Sequence, residues 1–324
     1  MEPDVDARPR RSLSARRRRR LARTIVIAVV AVMLGSGAVG ITNTLLGDTG
    51  DAPSAVAEVA PETADGLDPA LIAWPKQGTA AVAVGGGEVH VAADQPVPMA
   101  SITKLITALM VLEERPLAPG EQGDAYHFIS RWNASYEEYL TRGESALPVP
   151  AGGTLTQYQL LQGMLMGSAC NYADILVTEI WGDDAAFAAA AGAFLVENGL
   201  DGIVVVEPTG IDPADTATAA ALIGLGRLAM ADPVIAEIVA TPAVELPGAG
   251  LVENTNELLA DPGVVGIKTG TLEKSNLLSA KDIVTPQGTV RVYVAALGQP
   301  DDEARFAVSR ALYRSVEAQL GATG

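Results

Sequence analysis

Hydrophobic and polar positions divide the chain into three stretches. Residues 24–46 (TIVIAVVAVMLGSGAVGITNTLL) carry no charge over about the length a helix needs to cross a bilayer. Residues 47–66 (GDTGDAPSAVAEVAPETADG) are acidic, rich in Ala and Pro and without periodicity, the pattern of a disordered linker. Beyond them, β-prone runs at 79–84 (TAAVAV) and 88–93 (EVHVAA) flank three glycines. That predicts a hairpin, because glycine accepts the positive φ of tight turns. From 101 to about 195, apolar residues recur at helical spacing in SITKLITALMVLEE, LTQYQLLQGMLM, NYADILVTEIW and DDAAFAAAAGAFLVEN. A further apolar helix is predicted over 217–231, then strands over 264–271, 276–284 and 289–297. A closing helix is predicted over 301–320, with Phe306, Val308, Leu312, Tyr313, Val316 and Leu320 at helical spacing. This order predicts a mixed α/β (α+β) fold: an antiparallel five-stranded sheet whose first and last segments pair, flanked by helices, with a mainly helical subdomain inserted. No internal repeat is visible, and GLGRLA at 224–229 is too short to be a nucleotide fingerprint.

Charge sharpens the division. Nine of the 22 basic residues are arginines in the first 23 positions, on one side of the apolar run. By the positive-inside bias, 1–23 is a basic cytoplasmic tail, 24–46 a transmembrane signal-anchor, and 67–324 an extracytoplasmic domain held at the cell membrane. Cleavage near Ser36, Gly37 and Ala38 is the alternative, and it would release a secreted protein. Without the first 23 residues the chain keeps 13 basic and 36 acidic residues, a net charge of −23, which would repel a phosphate backbone and excludes nucleic acid as a partner. A single cysteine, Cys170, cannot form an internal disulfide, and two histidines, His90 and His127, are too few for a His-based metal cage. No metal or other cofactor is expected.

Three short patterns hold the candidate chemistry. In Ser101-Ile102-Thr103-Lys104 the hydroxyl and the amine stand nearly one helical turn apart, on one face. The helix they open is apolar almost all round, so Lys104 should be buried. Burial disfavours its ammonium form, which suits a base that takes a proton from serine. A capping serine and a snorkelling lysine would produce the same pattern. Lys268-Thr269-Gly270-Thr271 ends a predicted strand, where a cation, two hydroxyls and a glycine can cradle a carboxylate and an extended peptide. A strand running into a turn explains it equally well. Ser168-Ala169-Cys170-Asn171 is a polar break between two apolar helices, also readable as a helix cap.

In this order the three patterns resemble the S-x-x-K, S-x-N and K-T-G set of the active-site serine penicillin-recognising enzymes, and most closely the serine D-alanyl-D-alanine carboxypeptidases, the low-molecular-mass penicillin-binding proteins. The resemblance runs from about residue 73 to 320, through blocks at 98–113 (PMASITKLITALMVLE), 149–168, 207–218 (EPTGIDPADTAT) and 254–271. It implies that Ser101 is the nucleophile, Lys104 its general base and Ser168 a proton relay to the leaving amine. It also implies that Lys268 and Thr269 hold the substrate carboxylate beside Gly270, and that the amides of Ser101 and Thr271 form an oxyanion hole. The implied partners are the D-Ala-D-Ala end of a peptidoglycan stem peptide and β-lactams, which would acylate Ser101. Cys170 departs from the family pattern by standing where S-x-N has asparagine; a thiol is a weak hydrogen-bond partner, so one contact to substrate or lysine should weaken. Asn171, next door, is a second candidate for that substrate contact, although it should project in another direction. An activity-impaired peptidoglycan- or β-lactam-binding homologue is the alternative this raises. Glu207 sits in a block resembling the carboxypeptidases more than the deacylating loop of β-lactamases. After Leu320 there is no room for the further β-rich domain and membrane helix of some relatives, whose anchoring role the N-terminal helix is expected to take.

Overall fold

Side-chain parity explains the central sheet. In the strand Thr79–Val84 (β1), Ala81 and Ala83 enter one hydrophobic cluster while Ala80 and Val82 enter a second on the opposite face. A strand buried on both sides reads as one continuous apolar run rather than an alternation. The computed structural model describes residues 66–321, so the expected tail, anchor and nearly all of the linker lie outside the described residues. The other strands of the sheet are β2 (His90–Val91), β3 (Val264–Thr271), β4 (Ser275–Thr285) and β5 (Gly288–Gln299), in the order β3-β4-β5-β1-β2 and antiparallel throughout. β1 pairs with β5 from Thr79↔Leu297 to Val84↔Val292, so the first and last strand segments meet as expected.

Eight α-helices are found among the described residues: α1 (Thr103–Glu114), α2 (Trp132–Thr141), α3 (Gln157–Leu165), α4 (Cys170–Ile180), α5 (Asp184–Glu197), α6 (Ala219–Ala231), α7 (Pro233–Ala240) and α8 (Asp302–Leu320). The first seven share their apolar faces with one side of the sheet or with each other, and α8 covers the other side with Phe306, Leu312, Tyr313 and Val316. No single helix among the described residues is long and apolar enough to cross a membrane.

Several boundaries differ from the sequence expectation, each for a tertiary reason. The strand predicted over 88–93 shrinks to two residues; the Val84 carbonyl accepts from the Gly87 amide instead of extending the ladder, and Arg227 on α6 holds that turn by donating to the carbonyls of Gly85 and Gly87. The helix predicted from 217 begins at Ala219, because Thr216–Ala217 pairs with both Val97–Pro98 and Ile203–Val204, and the Thr218 hydroxyl caps the helix by accepting from the Ala221 amide. The turn holding Ser101 is 3-10 (Ala100–Ile102), with α1 starting behind it. The predicted helical stretch is also interrupted by a small antiparallel ribbon of Ala125–His127 with Thr154–Thr156, and by α2, which the hydrophobic pattern did not reveal.

Candidate active site

The Ser101 turn is held in place by two glycines from distant parts of the chain. Ala100 has φ +54°, in the left-handed region that a residue with a Cβ rarely enters. Gly210, at φ +81°, lies against it so closely that a Cβ there would sit 2.0 Å from the Ala100 oxygen. On the other side a Cβ on Gly270 would sit 2.5 Å from the Met99 oxygen and 3.2 Å from the Ser101 amide nitrogen. The glycine of K-T-G therefore lets β3 slide against the nucleophile turn.

Behind Ser101, residues Thr103 to Leu112 of α1 are all buried, and Lys104 with them. Its Nζ lies 2.8 Å from Ser101 Oγ and donates at 2.7 Å to the Thr209 carbonyl. The same loop is tied to α1 by Thr107, whose hydroxyl donates to Pro208 O at 2.7 Å. The loop owes its shape to Glu207, whose carboxylate accepts from the Thr209 amide and hydroxyl at 2.7 Å each and from the Gly210 amide.

Ser168 precedes α4 with φ +59°, and its Oγ accepts from Lys268 Nζ at 3.1 Å. Lys268 is buried and also donates to Thr269 O. Burial pushes its ammonium well below the ordinary lysine range, and the positive charges of Lys104 and Arg305 push the same way. Cys170 opens α4 beside Lys104. Burial pushes its thiol up, while the charge and hydrogen bond of Lys104 pull it down. Asn171 is turned elsewhere: its Nδ2 donates to Leu147 O at 2.7 Å and its Oδ1 accepts from the Leu147 amide at 3.1 Å.

These parts surround a cleft of about 1040 Å³ whose walls include Ser101, Ser168, Thr269, Gly270, Thr271 and Arg305, faced by the 143–145 loop. Ser101, Lys104, Ser168, Lys268, Thr269, Gly270 and Thr271 thus come together as the motifs require. Lys104, Lys268 and Cys170 form a layer beneath the cleft wall, and Asn171 is committed to the backbone of Leu147, so the substrate contact sought at Asn171 gives way to a structural bracket. Sequence reading missed two further members. Arg305 on α8 is buried and donates to Thr271 Oγ1 at 2.8 Å; an arginine on the inward row of Ser309, Leu312 and Val316 was the available signal. Thr255 exchanges a 2.6 Å hydrogen bond with Thr269 Oγ1 and had no signal of its own. Among the described residues no group of three His, Cys, Asp or Glu side chains could hold a metal ion. The arrangement offers a hydroxyl with a buried amine against it, a second hydroxyl on a second amine, and a guanidinium with two threonines at the far wall.

The family model for D-alanyl-D-alanine carboxypeptidases matches residues 88–297. D-alanyl-D-alanine carboxypeptidase DacB2 of Mycobacterium tuberculosis is 32% identical over 193 residues, covering 57% of this chain and 62% of that protein, so the chain spans less than two thirds of this curated relative. Among solved structures, the Streptomyces K15 DD-transpeptidase has a TM-score of 0.65 at 21% identity, covering 76% of this chain and 100% of that one. Penicillin-binding protein D2 from Listeria monocytogenes, solved in an ampicillin-bound form, has a TM-score of 0.59 at 24% identity, covering 74% of this chain and 96% of its own. At such identities the likeness is one of fold.

Proposed function

The chain belongs to the D-alanyl-D-alanine carboxypeptidase family, and from that premise we propose that it removes the terminal D-alanine of peptidoglycan stem peptides through an acyl-enzyme on Ser101 and is acylated there by β-lactams. The observation that carries this reading is the buried Lys104 Nζ, 2.8 Å from Ser101 Oγ. In this reading Ser101 Oγ attacks the carbonyl of the penultimate D-alanine while Lys104 takes the hydroxyl proton. The developing oxyanion is met by the amides of Ser101 and Thr271. The carbon–nitrogen bond then breaks, and Ser168, bonded to Lys268, passes a proton to the leaving amine. The substrate carboxylate sits against the hydroxyls of Thr269 and Thr271 with the Arg305 guanidinium behind Thr271, and Lys268 adds positive charge from below. Water attacks the acyl-enzyme and releases the shortened peptide.

The substrate places this domain outside the cytoplasm, in accord with the anchor proposed for residues 24–46 and the linker for 47–66. The test is intact-mass spectrometry of the chain with benzylpenicillin, beside Ser101→Ala. One penicilloyl adduct on the parent and none on the variant is expected; no adduct on either overturns the acyl-enzyme reading. A second reading, a binder with impaired turnover, is favoured by the Cys170 thiol beside Lys104. It predicts an adduct without D-alanine release from a D-Ala-D-Ala peptide.

A further inference from the structure

Below the Ser101 turn lies a pair of acids that the reaction just described does not use. Asp215 is fully buried; its Oδ1 accepts from the Val206 amide at 2.6 Å and its Oδ2 from Thr103 Oγ1 at 3.4 Å. Its carboxyl is within hydrogen-bonding reach of that of Glu207, which already accepts from Thr209 and Gly210. Beside the half-buried Glu207 carboxylate, the fully buried Asp215 does not readily take a second charge; one proton between them makes a donor and an acceptor of the pair. The loop they close touches both reacting residues. Thr209 O receives Lys104 Nζ, Asp215 O accepts from the Met99 amide at 2.9 Å, and Gly210 lies against Ala100.

We propose that Glu207 and Asp215 are positioning residues for Ser101 and Lys104, a carboxyl pair sharing one proton that keeps the 207–215 loop clasped against the nucleophile turn and the base. Burial, then Glu207, pushes Asp215 up to about 8, with the Val206 amide opposing. Other titratable groups face the pair from the elements around it. Asp174 on α4 and Asp184 on α5 are both raised by burial, with the Glu207 charge adding; Tyr139 on α2 hydrogen-bonds Asp174 at 2.7 Å; Lys104 lies on α1. The acids favour retention of the shared proton, and Lys104 opposes it. Once that proton leaves, two anions face each other and the clasp loosens, drawing the Thr209 carbonyl away from Lys104.

The proposal rests on the acyl-enzyme reading for one readout and is independent of it for the other. Asp215→Asn supplies a permanent donor to Glu207, so it should resist alkali. The first-order acylation constant at saturating benzylpenicillin, taken as a ratio of about pH 9.5 to about pH 7, should rise roughly tenfold over the parent ratio, because the parent pair is mostly deprotonated at the upper value. Glu207→Gln, which loses acceptors under Thr209 and Gly210, should lower that constant roughly tenfold with little change in the half-saturating concentration. Independently of any chemistry, the melting temperature of the parent should fall between about pH 6 and pH 9.5 more than that of Asp215→Asn. A folded value above the unfolded one stabilises at low pH, and that stability is lost as pH rises through the folded value. Parallel rate profiles and parallel melting profiles in parent and Asp215→Asn would overturn the proposal. A flattened melting profile with no adduct on any variant would uphold the shared proton and overturn the acyl-enzyme reading instead.

Discussion

At the residue scale, the departure from the family's motif is a thiol beside a buried lysine. Cys170 sits against Lys104 as a neutral, weakly bonding group, where an amide could both donate and accept. Cys170→Asn is expected to raise D-alanine release several-fold, a net hydrogen bond being worth about 1 kcal/mol, which is a factor of about five in rate. Unchanged or lower turnover would mean that the site is built around the thiol. At Arg305, loss of the guanidinium should weaken carboxylate binding by about 1.5–3 kcal/mol. Arg305→Ala is therefore expected to raise KM tenfold or more; an unchanged KM would remove it from the carboxylate site. Lys268 adds a pH dependence. Its charged form is the one that attracts a carboxylate, and burial depresses it, so anionic ligands should bind more weakly as pH rises through that depressed value. Asn171 was legible only in part. Its identity was plain, but whether its amide faced the cleft or the Leu147 backbone depended on where another segment of chain ran.

At the scale of elements, α8 is the clearest correspondence between pattern and structure. The helix expected over 301–320 forms as Asp302–Leu320, with the Asp301 carboxylate accepting from the Ala304 amide and Gly321 ending it at φ +62°. Its inward row buries Leu312 completely against the sheet, so Leu312→Ala should cost about 2–5 kcal/mol in denaturant unfolding, set mainly by how far the cavity collapses. A cost below about 1 kcal/mol would show that the sheet face repacks. The seam of α3 with α4 needs a residue without a side chain. A Cβ on Gly163 would fall 2.4 Å from the ring of Tyr172, which is fully buried and fixed by a 2.9 Å bond from its hydroxyl to Pro148 O. The α2 helix and the small ribbon, which the pattern missed, share a cause. α2 buries only Tyr139 fully, and the ribbon strands are three residues each, too little periodicity to distinguish helix or strand from loop.

For the whole molecule, buried acids tie stability to pH as well as shaping the site. Asp174 is pushed up to about 6, mainly by burial, above its unfolded value. Its stabilising contribution is therefore present below about pH 4 and lost as pH rises through about 6. Asp174→Asn, which can still accept from the Tyr139 hydroxyl, should raise the melting temperature at about pH 7.5 and barely change it at about pH 4. Equal shifts at both values would contradict the assignment. What the sequence determined by itself was what local spacing and side-chain character set: the order of the sheet strands and of most helices, the flanking of the sheet by helices, and the three-residue step that sets Lys104 within one turn of Ser101. The rest of the site joins residues far apart in the chain: Lys268 with Ser168 across 100 positions, Thr209 with Lys104 across 105, Arg305 with Thr271 across 34. No local periodicity encodes such meetings. They follow from which apolar faces pack together and from glycines at 210 and 270 that allow two backbones to approach the nucleophile turn, and those are decided only when the whole chain has closed around its core.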